Sequence, residues 1–173
     1  MNHDAVVFDL DGTLVRLVVD WGAVADSVAS TLRERGIEPP EDLWGMVETA
    51  DEHGASEAVE AVIAEYEREG ARNSERLPAA DTIPARPTAV CSLNCEDACR
   101  IAIAQHDIGG ITAVVGRDTV ATKKPDPEPL LEAIRRIDAD PKTSLFVGDS
   151  PQDEQAAERA GVDYVDVSVW LQA

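Results

Sequence analysis

Apolar and polar positions come in blocks along the chain, and the blocks read alternately as strands and helices. Ala5-Val6-Val7-Phe8 is a short apolar run with β-branched residues, and turn chemistry follows over residues 9–13. A run apolar on both faces fits a central parallel strand covered by helices on both sides. From Asp20 to about Leu77 the pattern becomes helical. Asp20 is placed to cap a helix running to Arg35, and Gly36 to stop it. Pro39-Pro40 precedes a second predicted helix over 41–52, and Ser56 is expected to cap a third that ends near Arg68, before Gly70. In that third segment Val59, Val62, Ile63 and Tyr66 recur at three- and four-residue steps. No strand signal interrupts this block, so it reads as a helical insert after the first strand. Residues 76–87, with three prolines, read as the return linker.

Alternation then resumes. Strands are predicted at 88–92, 111–115, 144–147 and 162–167, and helices at 96–106, 127–137 and 152–160. Leu130, Leu131, Ile134 and Ile137 form one apolar stripe in the second of these helices. Gly109-Gly110 and Gly161 mark helix ends. Strands alternating with helices over this length imply a parallel sheet with right-handed crossovers.

Composition narrows the function classes. The chain has 173 residues, 44% of them hydrophobic, which is enough for a core without disulfide or metal staples. No apolar stretch approaches the length of a membrane span. Against 34 Asp and Glu stand only 15 Lys and Arg, a net charge of −19. Such a surface repels phosphate backbones and anionic membranes, so neither a nucleic acid nor a membrane is expected as a partner. The only lysines are Lys123, Lys124 and Lys142. High acid with little lysine resembles proteins of salt-loving cytoplasms, where concentrated salt screens self-repulsion. The start, Met1-Asn2-His3-Asp4, lacks a basic, apolar leader, and a cytoplasmic location is expected. Cys91, Cys95 and Cys99 are an odd set with no second ligand pair, and are expected to be buried free thiols rather than a metal site.

In open parallel sheets, ligands bind beyond the carboxyl ends of the strands. Asp9-Leu10-Asp11-Gly12-Thr13 follows the first strand, Ser92 and Asn94 the second, and Gly148-Asp149-Ser150 with Asp153 the fourth. Lys123-Lys124-Pro125-Asp126-Pro127 precedes a helix. Asp9, Asp149 and Asp153 are hard oxygen donors suited to Mg²⁺, an ion that commonly pairs with phosphate. Lys124 and Ser92 are placed to hold the remaining phosphate oxygens. Gly12 lets the backbone turn N–H groups toward an anion. A carboxylate at Asp9 can attack phosphorus, and Asp11 can protonate the leaving oxygen and then activate water.

These segments, in this order, resemble the motifs of the haloacid dehalogenase-like superfamily of hydrolases. Residues 4–15 and 88–168 carry the resemblance, and the pattern is nearest the phosphoglycolate phosphatase-like branch with a small helical cap. The resemblance implies an α/β fold: a three-layer Rossmann-like parallel sheet, core 1–18 and 78–173, with a cap insert at 19–77. By position it implies Asp9 as nucleophile and metal ligand, and Asp11 as general acid/base whose backbone carbonyl also reaches the metal. It implies Ser92 and Lys124 as phosphate binders, with Asn94 beside them, and Asp149 and Asp153 as the remaining metal-site acids. The implied activity is Mg²⁺-dependent hydrolysis of a small phosphorylated metabolite through an aspartyl phosphate. The acid at Asp11 points away from the dehalogenase, phosphonatase and transport ATPase branches. A phosphosugar mutase, or a catalytically silent relative that binds a partner, are the alternatives. A receiver domain does not explain Asp9-x-Asp11-Gly12-Thr13 or the long insert.

The insert is short beside the usual helical cap, and residues 77–87 carry three prolines where relatives have a helix. An open site, or one completed by a partner subunit, is therefore expected. Trp21 and Trp44 are expected to pack the insert onto the core, with stacking on a substrate as the alternative; Trp170 is expected to cover a sheet edge near the C-terminus.

Overall fold

The computed structural model describes residues 3–172; Met1, Asn2 and Ala173, included in the expectations above, lie outside the described residues. The first strand, β1 (Ala5–Phe8), forms where its apolar run predicts it. Ala5 and Val7 face one side of the sheet, Val6 and Phe8 the other, and all four are buried. Beyond the two-residue β2 (Val15–Arg16) the chain enters three helices: α1 (Trp21–Arg33), α2 (Leu43–Glu52) and α3 (Ser56–Arg72). It returns through β3 (Glu75–Arg76), which pairs antiparallel with β2. A one-turn 3-10 helix, Pro78–Asp81, then leads to β4 (Thr88–Cys91). The remaining elements are α4 (Glu96–Gln105), β5 (Ala113–Val115), α5 (Glu128–Arg136), β6 (Ser144–Gly148), α6 (Pro151–Ala160), β7 (Asp163–Asp166) and α7 (Val167–Trp170).

The five long-range strands form one parallel sheet in the order β5-β4-β1-β6-β7. One face packs on α4 and α7 through Cys99, Ala102 and Trp170, the other on α5 and α6 through Leu130, Ile134 and Ala157. This is the expected three-layer α/β architecture. The chain leaves β1 for β4 on one side and later crosses to β6 on the other. The crevice beyond the carboxyl ends of β1, β4 and β6 is therefore the topological switch point.

Several local expectations shift. Asp20 and Asp42 cap α1 and α2, their carboxylates accepting from Ala23 N at 3.1 Å and Gly45 N at 2.8 Å. Asp42, at the cap, sets the start of α2 two residues beyond the predicted position. Ser56 does not cap α3; Ala55 stands at that position, and the Ser56 hydroxyl donates to Asp51 instead. Nor does α3 end before Gly70. The helix runs through it, because Gly70 lies against the segment leading out of β2: a Cβ there would sit 2.6 Å from Val19 Cγ2. Here glycine answers a close approach, not a helix stop. The β2–β3 ribbon, two residues per strand, was not foreseen; so short a pairing has no periodicity to read.

The three helices have their own apolar cluster, with Val24, Leu32, Met46, Val59 and Ile63 inside it. Ala64 and Ala71 of α3 belong instead to the main core, beside α4. One helix thus serves both clusters and ties the insert down. Trp170 packs edge-on against Phe8, ring centroids 5.6 Å apart, so it meets the face of the central strand β1 and not the predicted sheet edge. Cys91, Cys95 and Cys99 are free and buried.

Candidate active site

The turn after β1 is held by its own backbone: Leu14 N donates to Leu10 O at 2.8 Å and Gly12 N to Val15 O at 2.8 Å. Gly12 has φ +89°, and a Cβ on it would lie 2.1 Å from Asp149 Oδ2. Only glycine admits both the conformation and the approach of the β6 loop. At the end of β6, Gly148 plays a similar part, since a Cβ there would lie 2.6 Å from Asp153 Oδ2.

These two close approaches gather the carboxylates. Asp9, Asp149 and Asp153 each bring an oxygen within 4.8 Å of the others. Lys124 reaches among them, its Nζ 2.7 Å from Asp9 Oδ1, 2.6 Å from Asp153 Oδ1 and 3.1 Å from Cys91 O. Asp153 is fully buried and also accepts from Ser150 N at 3.1 Å and Ser150 Oγ at 2.7 Å, a capping box that fixes α6. Asp11 stands apart from the cluster; its Oδ1 accepts from Leu17 N at 2.8 Å. Ser92 does not cap α4. Its hydroxyl donates to Asn94 Oδ1 at 3.1 Å and accepts from Asn94 N at 3.2 Å. Asp126 starts α5, accepting from Glu128 N at 2.9 Å.

Electrostatics follow from burial. Desolvation raises the Asp9 pKa to about 7; Lys124 opposes the rise and Asp153 adds to it. Burial likewise raises Asp11, with the Leu17 N–H opposing. Burial raises Asp149 as well, helped by the charge of Asp153. Burial pulls the Lys124 ammonium down, but Asp9, Cys91 and Asp153 outweigh it, so the lysine stays protonated. Like charges this close repel, and a divalent cation relieves them. Three convergent carboxylate oxygens and no sulfur or imidazole in the cluster are the donor set of a hard ion such as Mg²⁺.

A cavity of about 300 Å³ opens above this cluster. Asp9, Asp11, Ser92, Asn94, Lys124 and Asp149 all line it; Asp153 lies beneath, reached through Lys124. The structure thus brings the proposed catalytic, phosphate-binding and metal-site residues around one cavity, with Asp11 on its lining but outside the three-carboxylate cluster.

It also adds residues that sequence reasoning missed. Arg117, just after β5, donates to Glu60 and Glu67 of α3 and, at 2.6 Å, to Leu93 O. Glu67, buried, accepts from Cys95 N at 2.9 Å and Asn94 Nδ2 at 3.3 Å. Burial pulls the Arg117 pKa down, but Glu67 and Glu60 hold it above its usual value. An isolated charge on each of two distant segments carries no sequence signal of pairing. Trp21 and Trp44 do not pack the insert onto the core: they are 44% and 62% exposed, and both line the cavity.

The chain is similar to known proteins. A phosphoglycolate phosphatase of Rhodospirillum rubrum is 28% identical over 193 aligned residues, covering 95% of this chain and 79% of that protein. The plasmid-borne phosphoglycolate phosphatase of Cupriavidus necator is 30% identical over 182, covering 91% and 78%. A hydrolase of Pseudomonas syringae has the same fold, with a TM-score of 0.68 at 23% identity over 94% of this chain and 84% of that one. The family model of the haloacid dehalogenase-like hydrolases matches residues 3–161, so motifs, sheet order and overall match agree that the chain belongs to that family.

Proposed function

We propose that this hydrolase is a Mg²⁺-dependent phosphatase of small phosphorylated metabolites, working through an aspartyl phosphate at Asp9, with residues 19–77 as its cap. The observation that carries the reading is the position of Lys124. It is a buried ammonium within 2.7 Å of Asp9, at the floor of a cavity that also holds Ser92 and Asp11.

Asp9, Asp149 and Asp153, with the Asp11 carbonyl, are the residues that would hold Mg²⁺, which when bound supplies charge neutralisation for the phosphate. Lys124 and the Ser92 hydroxyl bind phosphate oxygens, and Asn94 orients Ser92. An Asp9 oxygen attacks phosphorus; the new P–O bond forms as the bond to the ester oxygen breaks. Asp11, its pKa raised by burial, gives the leaving oxygen its proton. It then takes a proton from water, whose oxygen attacks the same phosphorus. The P–O bond to Asp9 breaks, and inorganic phosphate leaves. A mutase needs water kept out between the two steps, and two exposed tryptophans at the cavity give that reading no support.

The test is hydrolysis of p-nitrophenyl phosphate with Mg²⁺, with EDTA, and by Asp9→Asn. Mg²⁺-dependent turnover that vanishes in the variant is expected. Turnover retained in Asp9→Asn, or indifferent to EDTA, overturns the reading.

A further inference from the structure

The cavity has two unlike ends. The end at Asp9 and Lys124 is charged. The opposite wall comes from the insert and is apolar: Trp21 from the first turn of α1, Leu43, Trp44 and Val47 from α2, and Ile63 from α3. Among the described residues, the insert contributes no lysine, arginine or histidine to this lining; its only ionisable side chains there are Glu60 and Glu67.

We propose that this wall is the subsite for the substrate's alcohol, and that it selects phosphate esters of apolar, planar alcohols over esters whose alcohol bears a carboxylate. The inference rests on the phosphatase reading above and runs against phosphoglycolate, the substrate named for the two relatives.

A phosphate seated at Asp9, Ser92 and Lys124 leaves its ester substituent to extend across the cavity to the insert. A carboxylate there sheds water against Asp11, Glu60 and Glu67 and finds no uncommitted buried cation. Arg117 is taken by two carboxylates and a carbonyl, and Lys124 by Asp9 and Asp153. Lys123 is exposed at the rim, its Nζ 5.8 Å from the centre of the Trp44 ring, where water screens any pairing. An apolar ring meets the reverse situation. It covers exposed surface of Trp21 and Trp44 on the wall they share with Leu43 and Val47. A cavity of about 300 Å³ suits a single ring carrying a phosphate.

The experiment compares kcat/KM for benzyl phosphate and phosphoglycolate in Mg²⁺, with acetyl phosphate as a compact, reactive reference. Both esters release primary alcohols, so intrinsic reactivity is closely matched. Benzyl phosphate is expected to lead by about tenfold or more, the effect of one well-placed aromatic contact plus an uncompensated charge. Trp44→Ala should cut the benzyl-to-glycolate ratio by about tenfold. Val47→Lys, which supplies the missing cation, should cut the ratio from the other side by raising phosphoglycolate turnover. Phosphoglycolate used as well as benzyl phosphate by the wild-type protein overturns the proposal. So does a ratio unmoved by Trp44→Ala in protein with unchanged circular dichroism. If acetyl phosphate too is untouched, the phosphatase reading itself fails, and the subsite with it.

Discussion

Arg117 grips Glu67 with both ends of its guanidinium, Nη1 2.6 Å from Oε1 and Nη2 3.0 Å from Oε2. One residue follows a core strand and the other sits in α3, so the contact joins the insert to the core. Because Glu67 also accepts from Asn94 and Cys95, the grip extends to the loop that carries Ser92. Removing one partner of a buried pair costs about 3–5 kcal/mol, since the other charge is left unpaired. Arg117→Ala strands Glu67, which is 1% exposed. Glu60→Ala removes a partner that is 38% exposed and leaves the grip on Glu67 intact. Urea denaturation should therefore show a loss near that range for Arg117→Ala and about 1 kcal/mol or less for Glu60→Ala. Equal losses would mean that the buried contact does not set the stability of the join.

The same geometry predicts a kinetic effect. Glu67→Gln keeps the size of the side chain but weakens its hold on Asn94 Nδ2 and Cys95 N. KM for p-nitrophenyl phosphate should rise several-fold while kcat changes less, because the loop that binds phosphate loosens and the attacking Asp9 does not. A fall in kcat at constant KM would place Glu67 in the chemistry instead.

Asp9 and Asp11 separate by the size of their losses. Asp9→Asn removes the proposed nucleophile and should lower kcat by about 10⁴-fold or more. Asp11→Asn removes a proton donor and acceptor and should cost about 10²–10⁴-fold. With a leaving group that needs no proton, such as p-nitrophenolate, the first step survives Asp11→Asn. Denatured Asp11→Asn protein should then carry phosphate on Asp9, read by mass spectrometry. Its absence would argue against separate roles for the two acids.

Much of this site was legible because its residues follow strands whose apolar runs are unambiguous. β1 and β6 are buried on both faces, so Asp9 and Asp149 fall at the carboxyl edge without any tertiary information. What was not legible depends on contacts distant in sequence. Arg117 meets Glu67 across 50 positions. Gly70 looked like a helix stop, but its reason is the backbone of Val18 packed against it. Trp44 reads as core by its chemistry, yet it is exposed and lines the cavity, a placement set by how the insert's helices pack and not by local pattern. The last predicted strand stops short of Val167 because Asp166 caps α7, its Oδ1 accepting from Ser168 N at 2.8 Å.

The acid cluster makes stability depend on pH and on metal together. In EDTA, Asp9 has a pKa of about 7 in the folded chain against 3.8 for the free side chain. The folded state then binds the proton more tightly than the unfolded one. The stabilisation this gives is complete below the unfolded value and is lost as pH rises through about 7. Asp11 and Asp149 are raised too and act in the same direction. Metal-free protein should therefore melt at progressively lower temperature from pH 5 to pH 8, as far as this cluster contributes. Mg²⁺ competes with those protons, so its stabilising effect should grow over the same interval, reaching about 2.7 kcal/mol where its concentration is 100 times Kd. Calorimetry at both pH values, with and without Mg²⁺, checks the sign. An equal Mg²⁺ effect at pH 5 and pH 8 would remove these carboxylates as its ligands.

The net charge of −19 carries the last prediction. Exposed acids such as Asp26, Glu34, Glu38, Asp97 and Asp107 repel one another, with few cations among them. The Debye length falls from about 10 Å at 0.1 M salt to about 3 Å at 1 M, so added KCl removes most of this repulsion. The pairs that KCl also screens are mainly exposed ones such as Arg16–Glu75, worth about 1 kcal/mol at most each. The grip of Arg117 on Glu67 is buried and screened far less. Repulsion therefore loses more than attraction does, and the melting temperature should climb between 0.1 and 1 M KCl, most steeply at the low end where the Debye length shortens fastest. A chain fitted to concentrated salt should climb by ten degrees or so, since about 1 kcal/mol moves the midpoint by roughly 2–4 °C at this size. A flat or falling curve would show that the acidic surface is ordinary and that the fold does not rely on salt.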